Sequence, residues 1–148
     1  LSQIERDRSN PTLDTIWRRT RALESPLENV LSVNDGTFSF EKLSRNATPE
    51  VTSEDNGFHL RILGTLNTVS SVQWYEFNAE PGAELASESH GKGSLESITL
   101  CTGNLTVTIG DDIKTVCAGE TLRYHTDLPH KLKNEGNKDS HGFMVNLL

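Results

Sequence analysis

The chain has 148 residues, 34% of them hydrophobic and 24% charged, with a formal net charge of −7. That length and apolar share suit one compact domain and exclude a disordered tail, while apolar runs of at most about four residues exclude a spanning helix. Cys101 and Cys117 are too few for a disulfide scaffold, and the opening residues lack the charged-then-apolar layout of a signal peptide, so the chain reads as cytoplasmic with reduced thiols.

Residues 1–32 read as helical. Asn10 before Pro11 supplies an N-cap followed by the residue favoured at the first helical position. Asp14 then lies in the first turn, where a carboxylate suits the positive end of the helix dipole. Leu13, Ile16, Trp17 and Thr20 recur at helical spacing, and Ser25-Pro26 opens a second short helix with Leu27, Val30 and Leu31 on its buried side. A chain that opens in mid-helix without Met reads as a fragment or a processed product. This leader is basic: five Arg in residues 1–23 against Glu5, Asp7 and Asp14 give +2, while residues 24–148, with nine basic and eighteen acidic side chains, give −9. The acidic body does not favour nucleic acid, because neutralising phosphates needs clustered Lys or Arg.

After residue 36 the period changes to two. Strands are predicted at 37–40, 58–63, 72–77, 95–100, 105–109, 113–116, 122–124, 130–132 and 143–147. Turn dipeptides such as Asn56-Gly57, Pro81-Gly82, Gly103-Asn104 and Ala118-Gly119 separate them. The polar stretch 44–55, with Pro49, reads as a loop or an edge strand. Many short strands and no long helix beyond residue 32 predict a mainly β sandwich or barrel rather than a parallel βαβ sheet.

Candidate chemistry gathers in two segments. In the first, Glu88 and His90 are two apart and share a face if they lie on a strand, and Glu96 has the parity of Ile98 and Leu100. A carboxylate among core residues must be paired, hydrogen-bonded or metal-bound. In the second, Asp127-Leu128-Pro129-His130 leads into a strand that puts His130 and Leu132 on one face. Two histidines and a carboxylate meeting inside a barrel would form a facial site with open positions, suited to a divalent metal such as Zn, Fe, Mn or Ni. Proton competition then predicts affinity falling below about pH 6. Trp74 and Tyr75 alternate faces, so one of them points inward; Trp74 and Tyr124 join Glu88, His90, Glu96 and His130 as candidate ligand-binding residues. His59, His125 and His141 are isolated and read as surface or edge residues.

Residues 72–148 resemble a cupin, the double-stranded β-helix or jelly-roll barrel. Gly82, Glu88-Ser89-His90, Glu96 and Gly103 match the family's first motif, and Gly119, His130 and Asn134 its second. Two positions depart from the metalloenzyme pattern: Glu88 stands where the first histidine is usual, and Glu96 lies one or two residues further from His90. The resemblance implies His90, Glu96 and His130 as metal or pocket residues, with Glu88 a further candidate. The phrases 1–6 and Ser9-Asn10-Pro11-Thr12-Leu13 are similar to the end of an Xre-type helix-turn-helix domain. Bacterial regulators that join such a domain to a cupin share the His-x5-Glu spacing and the Asp-x-Pro-His phrase, here His90 to Glu96 and Asp127 to His130.

The resemblance implies two parts: residues 1–32 as the last helices of a truncated DNA-binding domain, and residues 33–148 as a cupin sensor domain. It implies Ser2, Gln3, Arg6 and Arg8 as DNA-contacting residues at the back of a recognition helix. A recognition helix reads bases from its N-terminal residues, so this chain is expected to bind DNA weakly or not at all, and the full-length protein to do so as a homodimer. The expected function is transcriptional regulation through a small-molecule effector, with no membrane partner. The alternatives are a metal-dependent cupin enzyme (oxygenase, epoxidase or isomerase) and an empty barrel serving only for dimerisation.

Overall fold

A computed structural model describes residues 42–65 and 68–148. The predicted helices, the strand at 37–40, the division at residue 32 and the candidates Ser2, Gln3, Arg6 and Arg8 lie outside the described residues.

A 3-10 turn, Arg45–Ala47, leads into ten strands: β1 Glu50–Thr52, β2 Phe58–Ile62, β3 Val72–Ala79, β4 Glu84–Ser87, β5 Leu95–Thr102, β6 Asn104–Ile109, β7 Asp112–Cys117, β8 Thr121–His125, β9 His130–Lys133 and β10 Ser140–Leu147. They form a six-stranded sheet ordered β1-β2-β3-β10-β5-β8 and a four-stranded sheet ordered β4-β9-β6-β7. All pairings are antiparallel.

Alternation along the strands builds the core between the sheets. The buried members of β3 include Tyr75, Phe77 and Ala79; those of β5 are Glu96, Ile98 and Leu100. Leu105 and Val107 of β6, Leu132 of β9 and Met144 of β10 close on them. The Phe58 and Phe77 rings pack 5.5 Å apart. Each fully buried Phe or Leu contributes about 1.5–3 kcal/mol.

Each of the eight strands predicted within the described residues is present. Two more were hidden. Strand β1 has a single buried apolar residue, Val51, which leaves no alternation to read; it is the edge-strand alternative for the stretch 44–55. Strand β4 is Glu-Leu-Ala-Ser with no fully buried member, an edge strand recognisable only by its pairing with β9. Strand β10 begins three residues before the predicted start. Gly142 interrupts the pattern there, because a Cβ at that position would lie 2.9 Å from the Phe77 ring, and the ladder to β5 shifts register between His141 and Gly142.

Candidate functional site

The site is assembled from both sheets and one loop. Glu96 comes from β5 in the large sheet, His130 from the start of β9 in the small sheet, and His90 from the connection between β4 and β5. Alternation turns Glu96 and His130 inward, as their parity with Ile98 and Leu132 predicts. His90 is placed differently. Strand β4 ends at Ser87, so Glu88 and His90 share no strand face, which corrects the period-two expectation. A hydrogen-bond set holds the loop instead. The His90 N–H donates to the Thr126 carbonyl at 2.9 Å, and the Thr126 N–H to the Ser94 carbonyl at 3.1 Å. The buried Thr126 hydroxyl donates to Ser94 Oγ at 2.8 Å, and Ser94 Oγ to the Gly91 carbonyl at 2.6 Å.

His90, Glu96 and His130 each offer a ligand atom, and these atoms lie within 4.8 Å of one another. Glu96 Oε2 is 3.9 Å from His90 Nε2 and 3.7 Å from His130 Nε2. Glu96 is only 2% exposed. Its second oxygen, Oε1, accepts the Tyr124 hydroxyl, and Tyr124 lies directly across the ladder from it. One carboxylate oxygen is thus fixed by the fold and the other is presented to both imidazoles.

The protonation pattern follows from these partners. A carbonyl can only accept, so His130 Nδ1 carries the proton that it shares with the Leu128 carbonyl at 3.2 Å. The free lone pair of the neutral ring is then on Nε2, the atom facing Glu96, and this buried Nε2 has no hydrogen-bond partner among the described residues. Burial alone would raise the Glu96 pKa, but the two imidazoles beside it, His130 and His90, and the Tyr124 hydroxyl outweigh it and hold the carboxyl down at about 2. Burial alone would lower the pKa of His130, but the Glu96 carboxylate 3.7 Å away raises it. Burial, then the charge of Glu96, push the Tyr124 phenol far up. It stays a donor at any ordinary pH.

This donor set fits a divalent cation. An ionised carboxylate oxygen and an imidazole nitrogen without a partner face one point, and a backbone carbonyl fixes the tautomer of His130 from behind, as in metal-ligating histidines. Three ligands of N and O type leave coordination positions open and suit Zn, Fe, Mn or Ni.

The open side faces a cavity of about 870 Å³. Gln73, Tyr75, Met144 and Asn146 line it from the large sheet. Glu88 lines it as well, as an exposed residue that lies outside the three-residue cluster. Neither Trp74 nor Tyr124 lines it. This corrects both as ligand-binding candidates: Tyr75 takes the inward position and Trp74, 47% exposed, takes the other face, while the Tyr124 hydroxyl is engaged with Glu96. Sequence reasoning did not find Gln73 and Asn146, whose parity with Tyr75 and Met144 was the available signal, nor Thr126 and Ser94, which carry none. The other three histidines stay apart from the site, His59 beside Glu50, His125 beside Asp127 and His141 beside Glu76. Both cysteines are exposed and unbridged. No helix of the described residues is long and apolar enough to cross a membrane.

Comparison with known proteins agrees with this architecture. The HTH-type transcriptional regulator SutR of Escherichia coli (strain K12) is 25% identical over 142 residues, which cover 95% of this chain and 74% of SutR. The crystal structure of an HTH_3 family transcriptional regulator from Vibrio cholerae superposes with a TM-score of 0.67 at 20% identity, covering 100% of this chain and 78% of that one. That of FeII HppE superposes with a TM-score of 0.63 at 14% identity, covering 92% of this chain and 76% of that one. Residues 75–146 match the Cupin_2 family model, described as a cupin domain. With its two antiparallel sheets closed around an inward His-Glu-His group, this part of the chain is a cupin domain.

Proposed function

We propose that the chain is the sensing part of a transcriptional regulator. Its barrel binds a small-molecule effector on a divalent metal held by His90, Glu96 and His130, and occupancy changes how the full-length protein engages DNA. One observation carries this reading: a buried His-Glu-His group opens into a cavity of about 870 Å³ in a chain that aligns over 95% of its length with an HTH-type regulator. A cavity of that size also counts against an empty barrel serving only for dimerisation.

Sensing requires that the effector bind two states of the protein unequally, since binding alone shifts nothing. In this reading the full-length protein is a cytoplasmic homodimer, the effector alters how two DNA-binding heads are presented, and residues 1–32 belong to those heads. Ser2, Gln3, Arg6 and Arg8 are the proposed DNA contacts, too few for the chain to bind DNA well without the rest of that domain.

The metal half of the proposal is tested by elemental mass spectrometry after dialysis without chelator. About one equivalent of a transition metal per chain is expected; a folded, metal-free chain that takes up none on addition would overturn it. The regulatory half is tested on the full-length protein. An effector that binds the barrel and leaves operator affinity unchanged would overturn that.

A second reading is a metal-dependent cupin enzyme, an oxygenase, epoxidase or isomerase. It is favoured by the open positions of a three-ligand site, which can admit a substrate. It requires that the metal-loaded chain turn over a bound ligand, whereas the sensor returns its effector unchanged.

A further inference from the structure

The outer faces of the two sheets differ. In the small sheet, alternation turns Thr106, Thr115 and Lys133 away from the core, side by side in the ladder, the polar face expected of an antiparallel sheet against water. The large sheet turns out apolar side chains instead. Trp74 and Val72 of β3 stand directly opposite Val145 and Leu147 of β10, and Leu147 stands opposite Leu95 of β5. Trp74 is 47% exposed and Leu147 45%. Single exposed apolar residues are ordinary, whereas a contiguous strip across three strands marks a contact surface.

One edge of the strip shows where the chain enters. Glu76 lies on the same outer face of β3, two residues from Trp74. Its carboxylate is held by Arg61 and His141 and meets Arg45 at 3.9 Å. Arg45 belongs to the turn before β1, so the chain entering the barrel already reaches this face. The connection 33–41 can span about 30 Å, enough to lay the segment before it along β3 and β10. That segment has the matching surface, with Leu13, Ile16 and Trp17 at helical spacing. A helix over 11–24 would be about 21 Å long, within the roughly 26 Å run of an eight-residue strand.

Charge separates this occupant from a second copy of the barrel. Residues 1–23 carry +2 and residues 24–148 carry −9, so two barrels face to face repel while the leader is attracted.

We infer that residues 11–24 pack on the outer face of the large sheet, with the stripe of Leu13, Ile16 and Trp17 against Trp74, Val145 and Leu147. Strands β5 and β10 then serve both sides, Glu96 facing the site and Leu95, Val145 and Leu147 facing the leader. Under the sensing proposal, on which this last step alone rests, the site and the DNA-binding half share two strands.

The test is acrylamide quenching of fluorescence in the metal-free, 148-residue chain. Trp17 and Trp74 are its two tryptophans, so each can be followed alone. In Trp17→Phe, Trp74 is expected to be shielded. Adding Leu13→Asp and Ile16→Asp is expected to expose it, because losing two buried aliphatic contacts shifts the packing equilibrium by more than about tenfold. In Trp74→Phe, Trp17 is expected to be shielded and Leu147→Asp to expose it. These changes fall on the leader or on an exposed position, and far-UV circular dichroism checks that the barrel is retained. Free quenching of Trp74 in Trp17→Phe overturns the inference. Shielding that ignores the added Asp substitutions, or that follows protein concentration, overturns it in favour of a second copy. Neither metal nor effector enters the measurement, so its failure leaves the sensing proposal standing, and failure of the metal measurement leaves this packing standing.

Discussion

Tyr124 faces Glu96 directly across the β5–β8 ladder and donates its hydroxyl to Oε1, so that only Oε2 is turned toward His90 and His130. The pairing leaves Glu96 one free oxygen in a fixed direction, the one that would serve the proposed metal. Tyr124→Phe removes the hydroxyl and keeps the ring that packs 5.8 Å from His130. Outer-shell partners of this kind change metal affinity by about 10–100-fold. Competition titration with a chromophoric chelator should show Tyr124→Phe at the lower end of that range, with near-unit stoichiometry retained. Glu96→Gln should lose stoichiometric binding.

The coupling of His130 to Glu96 sets the pH dependence. The pKa of His130 is raised above its ordinary 6.5, so its contribution to stability is full below 6.5 and is lost as pH rises through the folded value. The pKa of Glu96 is lowered from 4.5 to about 2, so its contribution is present above 4.5 and is lost as pH falls toward 2. The metal-free chain should therefore be most stable between these two ordinary values, and its Tm should fall on the alkaline side as His130 gives up its proton. A metal needs that proton gone. Loading with zinc should raise Tm most on the alkaline side, and affinity should begin to weaken at a higher pH than the value near 6 expected of an unpaired histidine. Parallel melting curves of the metal-free and zinc-loaded chain check both slopes; parallel Tm profiles would contradict the coupling.

Much of this site was legible in the chain. Strict alternation puts Glu96 in register with Ile98 and Leu100, and His130 in register with Leu132, so their inward direction could be read from neighbours of known preference. His90 could be read only by its spacing, because its position depends on a loop closed by Thr126 and Ser94, two small hydroxyl residues that are common in any turn. Choosing between Trp74 and Tyr75 needed the parity of the whole strand. Both are large and amphipathic, and only the run of buried residues through Phe77 and Ala79 sets the face. Asn146 and Gln73 were missed because polar residues inside a strand read as its wet face. Strands β1 and β4 lack the apolar partners that make alternation visible.

Trp74→Ala tests that face assignment. The side chain is 47% exposed and points away from the cavity. Metal stoichiometry and affinity should be unchanged, and the stability change should stay within about 1 kcal/mol, as expected for a surface site. Urea denaturation and metal titration of the variant check this. A loss of metal or ligand binding would put Trp74 back among the pocket residues.

Asn134 holds the turn that closes the barrel next to β9. Its Nδ2 donates to the Ala79 carbonyl at 2.8 Å and to the Lys138 carbonyl at 2.9 Å, and its Oδ1 accepts from the Gly136 N–H at 2.9 Å. The residue is fully buried. Alanine would leave two carbonyls and one N–H short of a partner, each costing about 1–3 kcal/mol where water cannot enter. Asn134→Ala should therefore lower the unfolding free energy by about 3 kcal/mol or more, measured as a shift of the urea midpoint with the slope unchanged. A loss below about 1 kcal/mol would mean that water replaces the amide.

Thr126 links the stability of the loop to the chemistry of the site. Its carbonyl receives the His90 N–H, its N–H reaches the Ser94 carbonyl, and its hydroxyl donates to Ser94 Oγ. Thr126→Val keeps the shape and both backbone bonds and removes only the hydroxyl donor. Ser94 still donates to the Gly91 carbonyl, so the loop loses one buried hydrogen bond, worth about 1 kcal/mol. His90 should then sample wider positions while Glu96 and His130, set by their strands, stay in place. In the cobalt-loaded variant the expected result is weaker binding with a changed visible spectrum, and a global stability loss of no more than about 2 kcal/mol. Asn134→Ala should do the reverse, lowering stability more while leaving the spectrum intact. If both variants moved stability and spectrum in the same proportion, the loop would be acting through the fold as a whole rather than through His90.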